Sequence, residues 1–213
     1  MSISLTEFLL SNKVISMDGL FANETAIKLY LDMTENAVFN VSAVSDQRGE
    51  IDATVDTQYN NVLHQGRISE TAWQHSFSAK ANEILAEIQD KVARLLAVDK
   101  DRFEPWQCTR YFTGGKFDYH DDCGNWASNE RLYTVMYTLR AADFGGGTHF
   151  RKLGITIPSE SNRLIVWRNL DEDFRCDGKA EHSGMPVGVP GSKEEDEKMI
   201  VVTWIRRFPY IAG

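Results

Sequence analysis

Apolar positions change their rhythm near Trp106. Before it, Leu29, Tyr30 and Met33 within Asn23 to Asn36 fall at helical spacing, as do Ile84, Ile88, Val92 and Leu95 within Glu70 to Val98. Both stretches are expected to be amphipathic helices. Between them, Ser45 to Gln65 is polar and without clear period, and reads as loop or strand that could border a substrate. After Trp106 come short runs rich in β-branched and aromatic residues, QCTRYF, RLYTVMYTL, GTHF, RLIVW and KMIVVTWI, separated by glycine, proline and charged turns. That texture predicts an antiparallel barrel or jelly roll packed on the earlier helices. The acidic run Ser192 to Lys198 is expected to be a solvated hairpin connection.

The expected architecture is therefore α+β in one domain over residues 1–213, with 1–105 mainly helical support and 106–213 the β core. At 42% hydrophobic and 25% charged, the chain has the composition of a globular protein able to bury a core. A net charge of −8 argues against a broad phosphate-binding surface, so no nucleic-acid partner is expected. No apolar run is long enough to span a bilayer, and the first residues lack the pattern of a secretory leader. Cys108, Cys123 and Cys176 form no C-x-x-C pair and leave one odd thiol. No disulfide is expected, Cys123 reads as a small buried thiol, and a reducing cytoplasm fits best.

The candidate chemistry sits in Tyr119-His120-Asp121-Asp122. Residues two apart on extended backbone leave the same face, so His120 and Asp122 can converge on one ion while Asp121 points away. His182 is the candidate third ligand. Two imidazoles and one carboxylate leave three positions open, which suits non-haem iron(II).

Five segments, in order, resemble the prolyl 4-hydroxylase-like branch of the Fe(II)/2-oxoglutarate dioxygenases. They are Tyr111 to Asp122, Arg131 to Leu139, Gly145-Gly146-Gly147-Thr148-His149-Phe150, His182-Ser183-Gly184-Met185-Pro186-Val187, and Lys198 to Arg206 with Trp204 six residues after the lysine. The resemblance implies a double-stranded β-helix (jelly-roll or cupin-like) core and metal ligation by His120, Asp122 and His182. It implies Fe(II), 2-oxoglutarate and O2 as cofactor and co-substrates, with ascorbate an allowed auxiliary. Lys198 is then the partner of the remote carboxylate of 2-oxoglutarate, although its spacing from His182 is longer than is common in the family and Lys193 is a rival. Tyr111 is a second contact, and Thr138 stands where the family usually has tyrosine. The implied reaction is hydroxylation of prolyl residues in a peptide or protein, with a free amino acid or other small molecule as the alternative substrate. Asp122 fills the position that related halogenases free for chloride, which favours hydroxylation.

Trp126, in the loop after the H-x-D segment, and Arg140 are candidate substrate contacts, while His149 is assigned no ligand role. Two other classes compete. A noncatalytic cupin-like metal sensor would usually close its site with a fourth protein ligand, and a zinc hydrolase would not account for Lys198 or the G-G-x-T-x-F segment.

Overall fold

The computed structural model describes residues 5–42, 66–124, 129–189 and 194–211. Ser45 to Gln65, Trp126 and Lys193 lie outside them. Three α-helices are present among the described residues, α1 (Leu5–Asn12), α2 (Asn23–Asn36) and α3 (Ala79–Leu96). The strands are β1 (Val14–Asp18), β2 (Asn40–Val41), β3 (Arg67–Ile68), β4 (Glu70–Trp73), β5 (Gln107–Phe112), β6 (Lys116–His120), β7 (Arg131–Arg140), β8 (Thr148–Phe150), β9 (Ile155–Ile157), β10 (Arg163–Arg168), β11 (His182–Gly184) and β12 (Glu197–Arg206). They form two antiparallel sheets, a major one ordered β1-β10-β7-β12-β5-β4-β2 and a minor one ordered β3-β6-β11-β8-β9.

The hydrophobic pattern explains the layering. Ala81, Leu85, Ile88, Val92 and Leu96 line one face of α3 and are buried, and Ala26, Leu29 and Met33 do the same on α2. They pack with Val135, Tyr137, Leu139, Met199 and Val201 on the outer face of the major sheet. A second core, with Tyr111, Met136, Phe150, Ile165, Trp167, Ile200, Val202 and Trp204, fills the space between the sheets. Because β7 and β12 bury both faces, they read as nearly continuous apolar runs rather than alternating ones. Among the described residues no helix is long and apolar enough to cross a membrane.

Four sequence expectations need correction. The helix expected from Glu70 begins at Ala79, because Ser78 caps it by accepting from the Ala81 amide at 3.0 Å, while Glu70–Trp73 pairs with β5 as a strand. Leu95 is half-exposed and Leu96 takes the inward position. The N-terminal half carries strands beside its helices: β1, β2 and β4 join the major sheet and β3 the minor one. In the acidic turn Asp196 is buried, accepting from the backbone N–H groups of Asp143, Phe144 and Glu197, which hold its carboxyl below the ordinary value against the opposing effect of burial.

The fourth correction concerns cysteine. Cys123 and Cys176 form a disulfide, and Cys108 is free and buried. The two lie 53 residues apart, brought together only when the segment after β6 meets the loop after β10. The argument for a reducing compartment rested on unpaired cysteines and loses that support.

Candidate metal centre

His120 ends β6 and His182 begins β11, and the two are direct partners in the antiparallel ladder. Their ring centroids are 4.3 Å apart. Asp122, two residues beyond His120, turns to the same side and is buried, whereas Asp121 is exposed. The Asp122 carboxylate lies with Oδ1 3.6 Å from His120 Nε2 and Oδ2 3.8 Å from His182 Nε2. One ligand atom from each of the three residues falls within 4.8 Å of the other two.

The imidazoles are held for ligation. His120 Nδ1 is 2.8 Å from the Asp118 carbonyl and His182 Nδ1 is 3.0 Å from the Ala180 carbonyl. A carbonyl only accepts, so each Nδ1 carries the proton and each Nε2 keeps a lone pair for a metal. Phe117 stacks on His120 at 3.7 Å, and Trp167 meets His182 edge-on at 4.6 Å. Burial, and next the neighbouring His182, depress His120 to about 4 against the pull of Asp122, so it is neutral at pH 7. Burial also opposes ionisation of Asp122, but His182, His120, Arg131 and the Thr134 hydroxyl together hold it below the usual carboxylate value. Two imidazoles and one carboxylate are the donor set that a divalent ion such as iron(II) accepts, with positions left for other ligands.

Deeper between the sheets, Lys198 is buried and stands directly across the β12–β5 ladder from Tyr111. Its Nζ donates to the Gly146 carbonyl at 2.5 Å and lies 5.8 Å from the Tyr111 ring centre. Gly146 has φ +64°, and a Cβ there would meet Ala142 Cβ at 2.9 Å and Lys198 Cδ at 3.3 Å, so glycine permits this approach. Burial lowers the lysine to about 8. Among the described residues no carboxylate is within salt-bridge range of it, which leaves a cation suited to an incoming anion. Thr138 is buried opposite Ile200, two residues along β12 from Lys198.

Other expected contacts are not brought together with the cluster. Arg140 approaches Glu197 at 3.6 Å and the Tyr30 ring at 5.9 Å, neither of which belongs to the centre. His149 Nδ1 lies 2.5 Å from the Tyr119 hydroxyl, and among the described residues His149 does not join the cluster.

Sequence reasoning overlooked Arg67, whose guanidinium lies 4.6 Å over the Phe117 ring and donates to Ser69 and Thr71. Ser69 also bonds Ser42 and the Tyr111 hydroxyl, so these residues form a polar ladder reaching the Tyr111 side of the barrel. Their spacing of two, 67, 69 and 71, was the available signal. Thr134 and Asn169, which bond in series to Asp122, were overlooked as well. So was the network at the other end of β12, where Arg131 donates two 2.7 Å bonds to Glu104, stacks on Trp204 at 3.7 Å, and shares Glu104 with Arg206.

The fold and this constellation define a class, and comparison with known proteins agrees with it. Residues 106–206, just under half of the chain, match the family described as the 2OG-Fe(II) oxygenase superfamily. The likeness is to its prolyl 4-hydroxylase branch. Prolyl 4-hydroxylase subunit alpha-3 of Mus musculus is 26% identical over 152 residues, covering 67% of this chain and 26% of its own length. The chain thus spans about a quarter of that relative. Prolyl 4-hydroxylase 13 of Arabidopsis thaliana is 25% identical over 210 residues, covering 89% of this chain and 70% of its own. Among solved structures, the viral collagen prolyl hydroxylase of Paramecium Bursaria Chlorella virus-1 in complex with 2OG superposes with a TM-score of 0.63 at 24% identity, over 91% of this chain and 96% of that one. A Pseudomonas putida prolyl-4-hydroxylase gives 0.61 at 15% identity, over 96% and 97%. These structures share the double-stranded β-helix fold.

Proposed function

We propose that the protein is an Fe(II)/2-oxoglutarate-dependent hydroxylase acting on prolyl residues of a peptide or protein, with residues 1–213 working as one unit. The observation that carries this reading is the pairing of an open-sided His120–Asp122–His182 cluster with a buried lysine that has no carboxylate partner among the described residues. A structural metal site would ordinarily be closed by a fourth protein ligand, and none joins the cluster among the described residues.

In this reading His120 and His182 each present Nε2 to iron and Asp122 presents a carboxylate oxygen. Lys198 neutralises the remote carboxylate of 2-oxoglutarate, with Tyr111 and Thr138 beside it. With iron(II) and 2-oxoglutarate held there, O2 would be the oxidant, taking two electrons from 2-oxoglutarate as it loses CO2 to become succinate and two from the substrate C–H bond as it becomes C–OH. The chain's own contribution is to fix the donors, neutralise the buried anion and shield the centre with Phe117, Phe150 and Trp167. The prolyl substrate is favoured because the matched relatives bear that activity in their names.

The test is succinate release from 2-oxoglutarate in the presence of Fe(II), O2 and proline-containing peptides, with hydroxyproline identified by mass spectrometry. Peptide-stimulated succinate that disappears in Asp122→Ala supports the reading. Succinate release stimulated by free amino acids but by no peptide would transfer the substrate assignment to small molecules.

A further inference from the structure

Asp122 is the end of a buried chain of hydrogen bonds. Thr134 Oγ1 donates to Asp122 Oδ2 at 2.8 Å, and Asn169 Nδ2 donates to Thr134 Oγ1 at 2.9 Å. The three residues are 8%, 0% and 1% exposed. A threonine hydroxyl has one proton and an ionised carboxylate only accepts, so that proton belongs to Asp122 and Thr134 must itself receive a bond from the Asn169 amide. The direction of the relay is thereby fixed.

Asn169 is in turn fixed through its backbone, donating to the Leu132 carbonyl at 2.9 Å and accepting from the Asp177 amide at 2.9 Å. Asp177 adjoins Cys176, which is bonded to Cys123, the residue after Asp122. The carboxylate is therefore gripped from two sides, by the relay at its side chain and by the disulfide at its backbone. Asn169 Oδ1 is buried and has no hydrogen-bond partner among the described residues. An apolar residue would avoid that cost, so packing does not account for an amide here, whereas the bond from Nδ2 to Thr134 does.

We infer that Thr134 and Asn169 are positioning residues that, by holding Asp122 Oδ2, fix the orientation in which the carboxylate faces His120 and His182. An untied carboxylate can rotate or swing from the ion. Losing such an outer partner typically weakens metal binding about 10- to 100-fold. The inference rests on His120, Asp122 and His182 being the metal ligands, as proposed above.

The experiment is a cobalt(II) titration of the full, metal-free chain followed by visible absorption, alongside thermal melting without metal. Thr134→Val, which removes the hydroxyl at constant volume, should bind cobalt about 10- to 100-fold more weakly and alter the absorption of the bound ion. Thr134→Ser should recover affinity to within about threefold, because it restores only the hydroxyl. Asn169→Asp keeps the shape but competes with Asp122 for the Thr134 proton, so it should behave like Thr134→Val. Wild-type affinity and spectrum in both Thr134→Val and Asn169→Asp would overturn the inference, as would a loss of affinity that follows the loss of melting temperature and is not rescued by serine. His120→Ala in the same titration separates the two levels: unchanged cobalt binding there would instead remove the ligand assignment.

Discussion

Lys198 donates to the Gly146 carbonyl at 2.5 Å inside the barrel, the one hydrogen bond of its ammonium group among the described residues. A buried cation satisfied by a carbonyl alone is half-solvated, and an anion delivered beside it converts a cost into a bond. Lys198→Ala should therefore raise the dissociation constant of 2-oxoglutarate by on the order of a hundredfold or more while changing iron affinity little. Calorimetric titration of each ligand checks this. A large loss in Lys193→Ala with none in Lys198→Ala would move the anchor into the turn.

The same lysine gives a pH dependence with a defined sign. Its folded value is about 8 against an ordinary 10.5, so without an anion the folded state holds fewer protons than the unfolded one over that interval. Stability of the ligand-free protein should carry the lysine's full cost below about pH 8 and recover as the pH rises from about 8 toward 10.5. Binding of 2-oxoglutarate has the opposite trend, because it needs the ammonium form. Its affinity should fall up to about tenfold per unit above pH 8, and Lys198→Ala should flatten that slope.

His120→Ala, Asp122→Ala and His182→Ala should each abolish tight iron(II) binding, and Asp121→Ala should leave it largely intact, because residue 121 is exposed on the opposite face. Metal content after dialysis against a weak chelator distinguishes them. Loss in Asp121→Ala with retention in Asp122→Ala would contradict the geometry.

The Cys123–Cys176 bond closes a long loop that begins directly after Asp122. On chain entropy alone, a separation of 53 residues corresponds to about 4 kcal/mol of stabilisation. Reduction with a dithiol, or the Cys123→Ala/Cys176→Ala pair, should lower unfolding stability by up to that amount. It should also weaken iron binding, since Cys123 adjoins Asp122. Denaturant unfolding with and without reductant measures the first effect, and unchanged stability would show that the bond does not form in solution.

How much of this was legible in the sequence follows from the range of each interaction. His120 and Asp122 were legible because two residues on one extended face need no knowledge of the rest of the fold. His182 and Lys198 were found through the order of five motifs, and the pairing of β11 with β6 and of β12 with β5 is what brings them near. Thr134 lies inside an apolar strand run and Asn169 just beyond one, and the link from Asn169 through Thr134 to Asp122 exists only once the segment after β6 meets β7 and the residue after β10. The disulfide escaped for the same reason, three cysteines giving no spacing rule for partners 53 residues apart. Glu70–Trp73 was absorbed into the helix that follows it, since four residues are too few to establish a period of two. Asp196 looked solvated because its three backbone donors come from two separate segments.

The most direct test of the central claim is turnover under oxygen-18 gas with Fe(II), 2-oxoglutarate and a set of proline-containing peptides, in excess chloride. The account predicts one labelled oxygen in succinate and label in a hydroxylated prolyl residue, both lost in Asp122→Ala. Unlabelled succinate, a chlorinated product, or turnover that persists without oxygen or 2-oxoglutarate would contradict it.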